Sequence, residues 1–140
     1  MILTNRQDLQ DMAKIRLKEA RTLFNDNKYD GAYYLCGYVI ECGLKACIAK
    51  QTKKHDFPDK NTAKKSYSHN LSELLGIAGL KNPVKDWRLR SPNLALNWTI
   101  VKDWEVTSRY EKHSQKEVQD LYSAIVNRRE GVFKWIKHYW

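Results

Sequence analysis

Glycine and proline are scarce in this chain, six and three among 140 residues. A sandwich or barrel of short strands needs many more turns than that, so long helices become the default reading. No stretch reads as a membrane span, because even the most apolar one, Gly31–Gln51, carries Glu41 and Lys45. The opening MILTNRQDL has too short an apolar part, and no basic leader, to read as a signal peptide. Cys36, Cys42 and Cys47 are the three cysteines, all on one predicted helix. Side chains at those spacings neither bridge nor converge on zinc, so the thiols are expected to be buried and reduced, in a cytoplasmic setting without a membrane partner. There is also no glycine-rich phosphate loop and no DxD carboxylate pair for magnesium. Nothing in the sequence calls for a metal or another cofactor.

Basic residues are plentiful. Lys and Arg number 25 against 16 Asp and Glu, a formal charge of +9. Between Lys50 and Arg90 lie ten basic residues and four acidic ones, so an excess of six sits in the middle third. Lys53, Lys54, Lys60, Lys64, Lys65, Arg88 and Arg90 are the candidate contacts for a phosphate backbone; a solvated basic loop is the plain alternative. Lys53–Ser68 shows no periodicity, contains Pro58, and reads as a long loop.

The chain is organised around Gly31–Gln51. Ala32, Leu35, Cys36, Val39, Ile40, Gly43, Leu44, Cys47 and Ile48 fall on one helical stripe. Tyr34, Gly37, Tyr38, Glu41 and Lys45 share a neighbouring face. A carboxylate on so apolar a helix calls for a cation; Lys45 at i+4 is the local one, with Arg16 or Arg109 reaching it from elsewhere. A first helix, capped near Thr4 and Gln7, should form an antiparallel hairpin with this one through Asn25-Asp26-Asn27. Further starts are marked by Ser68-His69-Asn70, by Ser91-Pro92 and by the capping box Ser114-Gln115-Lys116-Glu117. The last opens a final helix expected over Ser114–Tyr139. His69 reads as a cap or packing residue, and His55 and His138 as exposed. Trp98, Trp104 and Trp135 are spaced among apolar neighbours and should be buried.

Tyr29-Asp30-Gly31-Ala32, then Tyr38-x-x-Glu41-x-x-Leu44-Lys45-Ala46, His69-x-Leu71-x-x-Leu74, Trp104, Arg109-Tyr110, and Gly131-Val132-x-x-Trp135-Ile136-Lys137 follow one another in this order. Together they resemble the HEPN family across nearly the whole chain. The resemblance implies one all-α domain over residues 1–140, an up-and-down bundle of four to five helices that pairs through its central helices. Tyr34, Gly37 and Tyr38 then become the expected homodimer face, with Gly37 allowing close backbone approach. It also implies two kinds of function. Some members are metal-independent endoribonucleases of toxin–antitoxin and other defence systems; others bind RNA or nucleotide without cleaving, often beside a small nucleotidyltransferase partner.

Cleavage of RNA needs only a proton-transfer group and a cation on the phosphate, since the 2′-hydroxyl is the nucleophile. Arg109 and His113 are the nearest match to the family's catalytic Arg and His. Three residues separate them, one fewer than the shortest gap of the catalytic pattern. The leading expectation is therefore a dimeric module that binds RNA, nucleotide or a partner protein. The alternatives are an endoribonuclease acting through Arg109 and His113, or a purely structural interaction domain. In the structural reading Arg109 pairs with Glu41 and Tyr110 packs in the core.

Overall fold

The computed structural model describes residues 5–54 and 60–140. All its regular structure is helical. α1 spans Arg6–Asn25, begun by Asn5, whose side chain accepts a hydrogen bond from the Asp8 N–H at 2.8 Å. The expected cap residue Thr4 lies outside the described residues. Asn27, at a φ of 60°, reverses the chain, and asparagine tolerates that left-handed conformation. α2 then runs through Tyr29–Lys54, a few residues longer than its apolar stripe. The two form the expected hairpin.

The segment Lys53–Ser68 is not one long loop. α2 continues into it, and α3 occupies Lys60–Lys65; alanine and lysine are good helix formers even without an apolar stripe. α4 is Leu71–Ile77, capped by Asn70 and followed by Gly79 at a φ of 73°. α5 is Lys81–Arg90, and α6 is Pro92–Lys102 with Ser91 as its cap. A 3-10 helix covers Val106–Tyr110.

The final helix is broken. α7 spans Gln115–Val126 behind a complete Ser114–Glu117 capping box, and α8 spans Val132–Lys137. Between them the Asn127 side chain accepts from the N–H groups of Arg129 and Glu130, turning the chain. A Cβ at Gly131 would meet the Asn127 and Ile125 carbonyls at 2.6 Å. The interruptions make eight α-helices among the described residues, where four to five were expected.

α2 is the axis of the bundle. It packs against α1, α4, α7, α8 and the 3-10 helix. Cys36, Val39, Ile40, Leu44 and Cys47 are buried to within 1%. Trp98, Trp104 and Trp135 are at most 5% exposed, whereas Leu96 and Ile100 of α6 face outward. By length and composition Tyr29–Thr52 could cross a membrane, contrary to the sequence expectation; its mean hydropathy reaches 1.2 over the best window, 67% of which is buried inside the bundle. Burial on several sides by partner helices selects the same residues that lipid would. All three cysteines are free and buried, and burial pushes each thiol up to about 12.

Candidate functional site

Glu41 sits in the middle of α2 with its side chain 2% exposed. Its two oxygens face different partners. Oε2 accepts from the Lys45 ammonium one turn along, at 3.4 Å, and Oε1 lies 2.9 Å from His69 Nδ1. His69 precedes α4, and the packing of α4 on α2 brings it there. Its own side chain is 47% exposed. Tyr38 stands half-buried one turn before Glu41, its hydroxyl pushed up by burial and then by the Glu41 charge. Arg16 is committed elsewhere, 2.6 Å from Glu19.

Arg109 is not part of this group. It lies at the end of the 3-10 helix, exposed, with its guanidinium 4.9 Å from the centre of the Tyr110 ring. Tyr110 itself is 78% exposed rather than in the core. Glu41 is thus ion-paired with Lys45 and in hydrogen-bond contact with His69, and the expected Arg109 contact is replaced. The cause is the 3-10 segment, whose tight turn directs its last residues outward while Ser108 and Val106 face in.

His113 is held on every side. Its ring stacks on Tyr33 at 3.7 Å with planes 9° apart, and its side chain is 5% exposed. Nδ1 lies 3.1 Å from Glu117 Oε2, and Nε2 lies 3.3 Å from the Ser108 carbonyl. Its backbone N–H donates to Asp30 Oδ1 at 2.6 Å. Hydrogen bonds from His113 and Ser114 hold the Glu117 carboxyl below the usual range. The structure therefore does not bring Arg109 and His113 to one open cleft within the chain.

The proposed pairing face is also partly occupied. Trp104 lies directly on Gly37, so a Cβ there would fall inside the indole ring. The close approach that glycine permits is used within the chain and not between chains. Tyr34, 5.9 Å from Trp104 and 5.7 Å from Tyr38 between ring centres, stays half-buried, as does Tyr38.

Of the basic candidates, Lys60, Lys64 and Lys65 are exposed on α3. The backbones of Lys53 and Lys54 close α2 and those of Arg88 and Arg90 close α5; the side chains of these four lie outside the described part. A second basic edge was not foreseen. Lys14 of α1 lies over Trp140, and Lys137 of α8 lies 4.3 Å from the Phe133 ring centre. Burial, and then Lys14, hold the Lys137 ammonium below its usual range.

The description HEPN domain matches residues 7–139. The chain belongs to the HEPN domain family. No curated protein and no solved structure matches it. Within this HEPN fold the residue that sequence reasoning undervalued is His69. Its signal was present: Asn70, not His69, has the side chain suited to the cap, which leaves the histidine without a local task.

Proposed function

We propose that this HEPN protein is a dimeric binding module for RNA or a nucleotide within a toxin–antitoxin-like or defence system, and that Arg109 and His113 do not cleave. The observation that carries this reading is the closure of His113. A general base must reach the hydroxyl it deprotonates, and this ring is stacked on Tyr33 with acceptors at both nitrogens.

Charge supports a phosphate-bearing partner. Among the described residues, Lys and Arg pair with carboxylates at Arg16–Glu19, Lys45–Glu41 and Lys116–Asp120. Each such pair removes one cation and one anion, so the excess of +9 remains available to a polyanion. Tyr34 and Tyr38 are the part of the α2 face that a second copy can still reach. Light scattering checks the pairing, which requires twice the 16.5 kDa chain mass.

Incubation with mixed RNA in EDTA is the deciding experiment. Salt-sensitive binding with intact RNA is expected. Metal-free cleavage that disappears in His113→Ala restores the nuclease reading. A neighbouring nucleotidyltransferase that co-purifies would place the module in its pair.

A further inference from the structure

We propose that Glu41, Lys45 and His69, together with the turn between α3 and α4, form a ribonucleotide site in which His69 Nε2 hydrogen-bonds a ribose 2′-hydroxyl. The proposal rests on the reading that the partner is RNA or a nucleotide, and it names the atoms that tell ribose from deoxyribose.

The buried carboxylate of Glu41 orients the ring. A carboxylate oxygen only accepts, so at 2.9 Å it fixes the proton of His69 on Nδ1. With Nδ1 engaged, Nε2 is the one ring nitrogen left for a ligand, and a ribose 2′-hydroxyl, which can both donate and accept, matches it. No described residue bonds to Nε2, and 47% of the side chain is open to solvent. Capping does not account for His69, since Asn70 Oδ1 already takes the Glu73 N–H at 2.9 Å. Charge balance does not require it either, because Lys45 is already on the other oxygen. Glu41 is the positioning residue, and His69 presents an oriented ring nitrogen to the surface.

The residues next to His69 in the chain, and Lys45 on the shared carboxylate, fit a nucleotide. Lys45 gives one of its three N–H groups to Glu41 and keeps the others for a phosphate, its side chain 20% exposed. Tyr67, two residues before His69 on the same turn, is 81% exposed and offers an open ring to a base. Lys64 and Lys65 flank that turn, both exposed. A metal ion fits poorly, since an ammonium already sits on the shared carboxylate. Among the described residues no three His, Cys, Asp or Glu side chains cluster to hold one.

The test compares RNA and DNA of one mixed sequence, using the full chain and fluorescence anisotropy. The wild type should bind the RNA about tenfold more tightly, the worth of one good hydrogen bond. In His69→Asn the amide nitrogen takes the Nδ1 place on Glu41 while Nε2 is lost, so the thermal midpoint should hold and the preference should fall to near one. Tyr67→Ala should weaken RNA and DNA alike and keep the preference, because stacking does not read the sugar. Equal wild-type affinity for the two polymers, or an undiminished preference in His69→Asn, overturns the site while leaving RNA binding in place. If neither polymer binds, the functional reading fails instead. The site then stands or falls on whether adenosine monophosphate, and not its 2′-deoxy form, moves the His69 Cε1–H resonance.

Discussion

Gly37 owes its place to Trp104, whose indole occupies the space of a Cβ at position 37. Both partners are fully enclosed, so neither can step aside. Gly37→Ala should destabilise by about 3 kcal/mol, at the upper end of overpacking costs, as read from urea unfolding. Gly37→Leu should not fold at all. A variant that folds normally but fails to dimerise would restore the pairing role instead.

The Glu41 cluster makes a different demand. Removing the ring in His69→Ala strands one oxygen of a buried carboxylate, which costs about 1–3 kcal/mol; His69→Asn should keep nearly all of the stability. His113→Ala removes the stack on Tyr33 and the contacts to Glu117 and Ser108. Its expected effect is a loss of about 2 kcal/mol with RNA affinity unchanged.

At the scale of elements, caps decide more than propensity. The Ser114 hydroxyl accepts the Glu117 N–H at 3.2 Å, and Glu117 returns the contact to the Ser114 N–H at 3.3 Å. Ser114→Ala should therefore lower stability by about 1 kcal/mol, visible as a shifted urea midpoint. That helix start was legible because a capping box lies within four consecutive residues. So was α2, whose stripe from Ala32 to Ile48 repeats over nearly five turns. The break at Asn127–Gly131 was not: Val132, Phe133 and Ile136 continue an apolar pattern, and the side-chain turn at Asn127 leaves no trace in periodicity. α3 was missed for the opposite reason, being helical without an apolar stripe.

The candidate site was legible in part. Glu41 and Lys45 stand at i,i+4 in the sequence, a local relation. His69 reaches them only because α4 lies on α2, across 28 positions of chain, and no local rule reports such a contact. The outward turn of Arg109 is equally non-local, fixed by which residues of the 3-10 helix found room inside.

For the molecule as a whole, titration and salt give two readings. The three thiols sit near 12 in the folded chain, above the ordinary value of 9.0. An acid whose value is raised by folding favours the native state while it stays neutral. That contribution is complete below pH 9 and is lost as pH rises towards 12. Alkaline unfolding across this window is expected, and a thiol reagent at pH 8 should label the cysteines only once the chain is opened with urea. Replacing the three cysteines by alanine and valine should blunt the alkaline loss. RNA affinity, for its part, should fall at least tenfold between 50 and 200 mM salt, as for polyanion contacts by several cations. Indifference to salt would reduce the +9 charge to solvated surface.

The short reversal at Asn27 bears on the order in which the chain folds. It joins the two longest helices with almost no intervening loop, so the largest interface in the molecule forms between neighbours in sequence and incurs little closure entropy. The α1–α2 hairpin is accordingly expected to nucleate folding, with α8 docking late onto a helix some ninety residues upstream. Stopped-flow chevrons can separate the two steps. Ala20→Gly, in the hairpin, should mainly slow folding, whereas Ile136→Val, in α8, should mainly hasten unfolding.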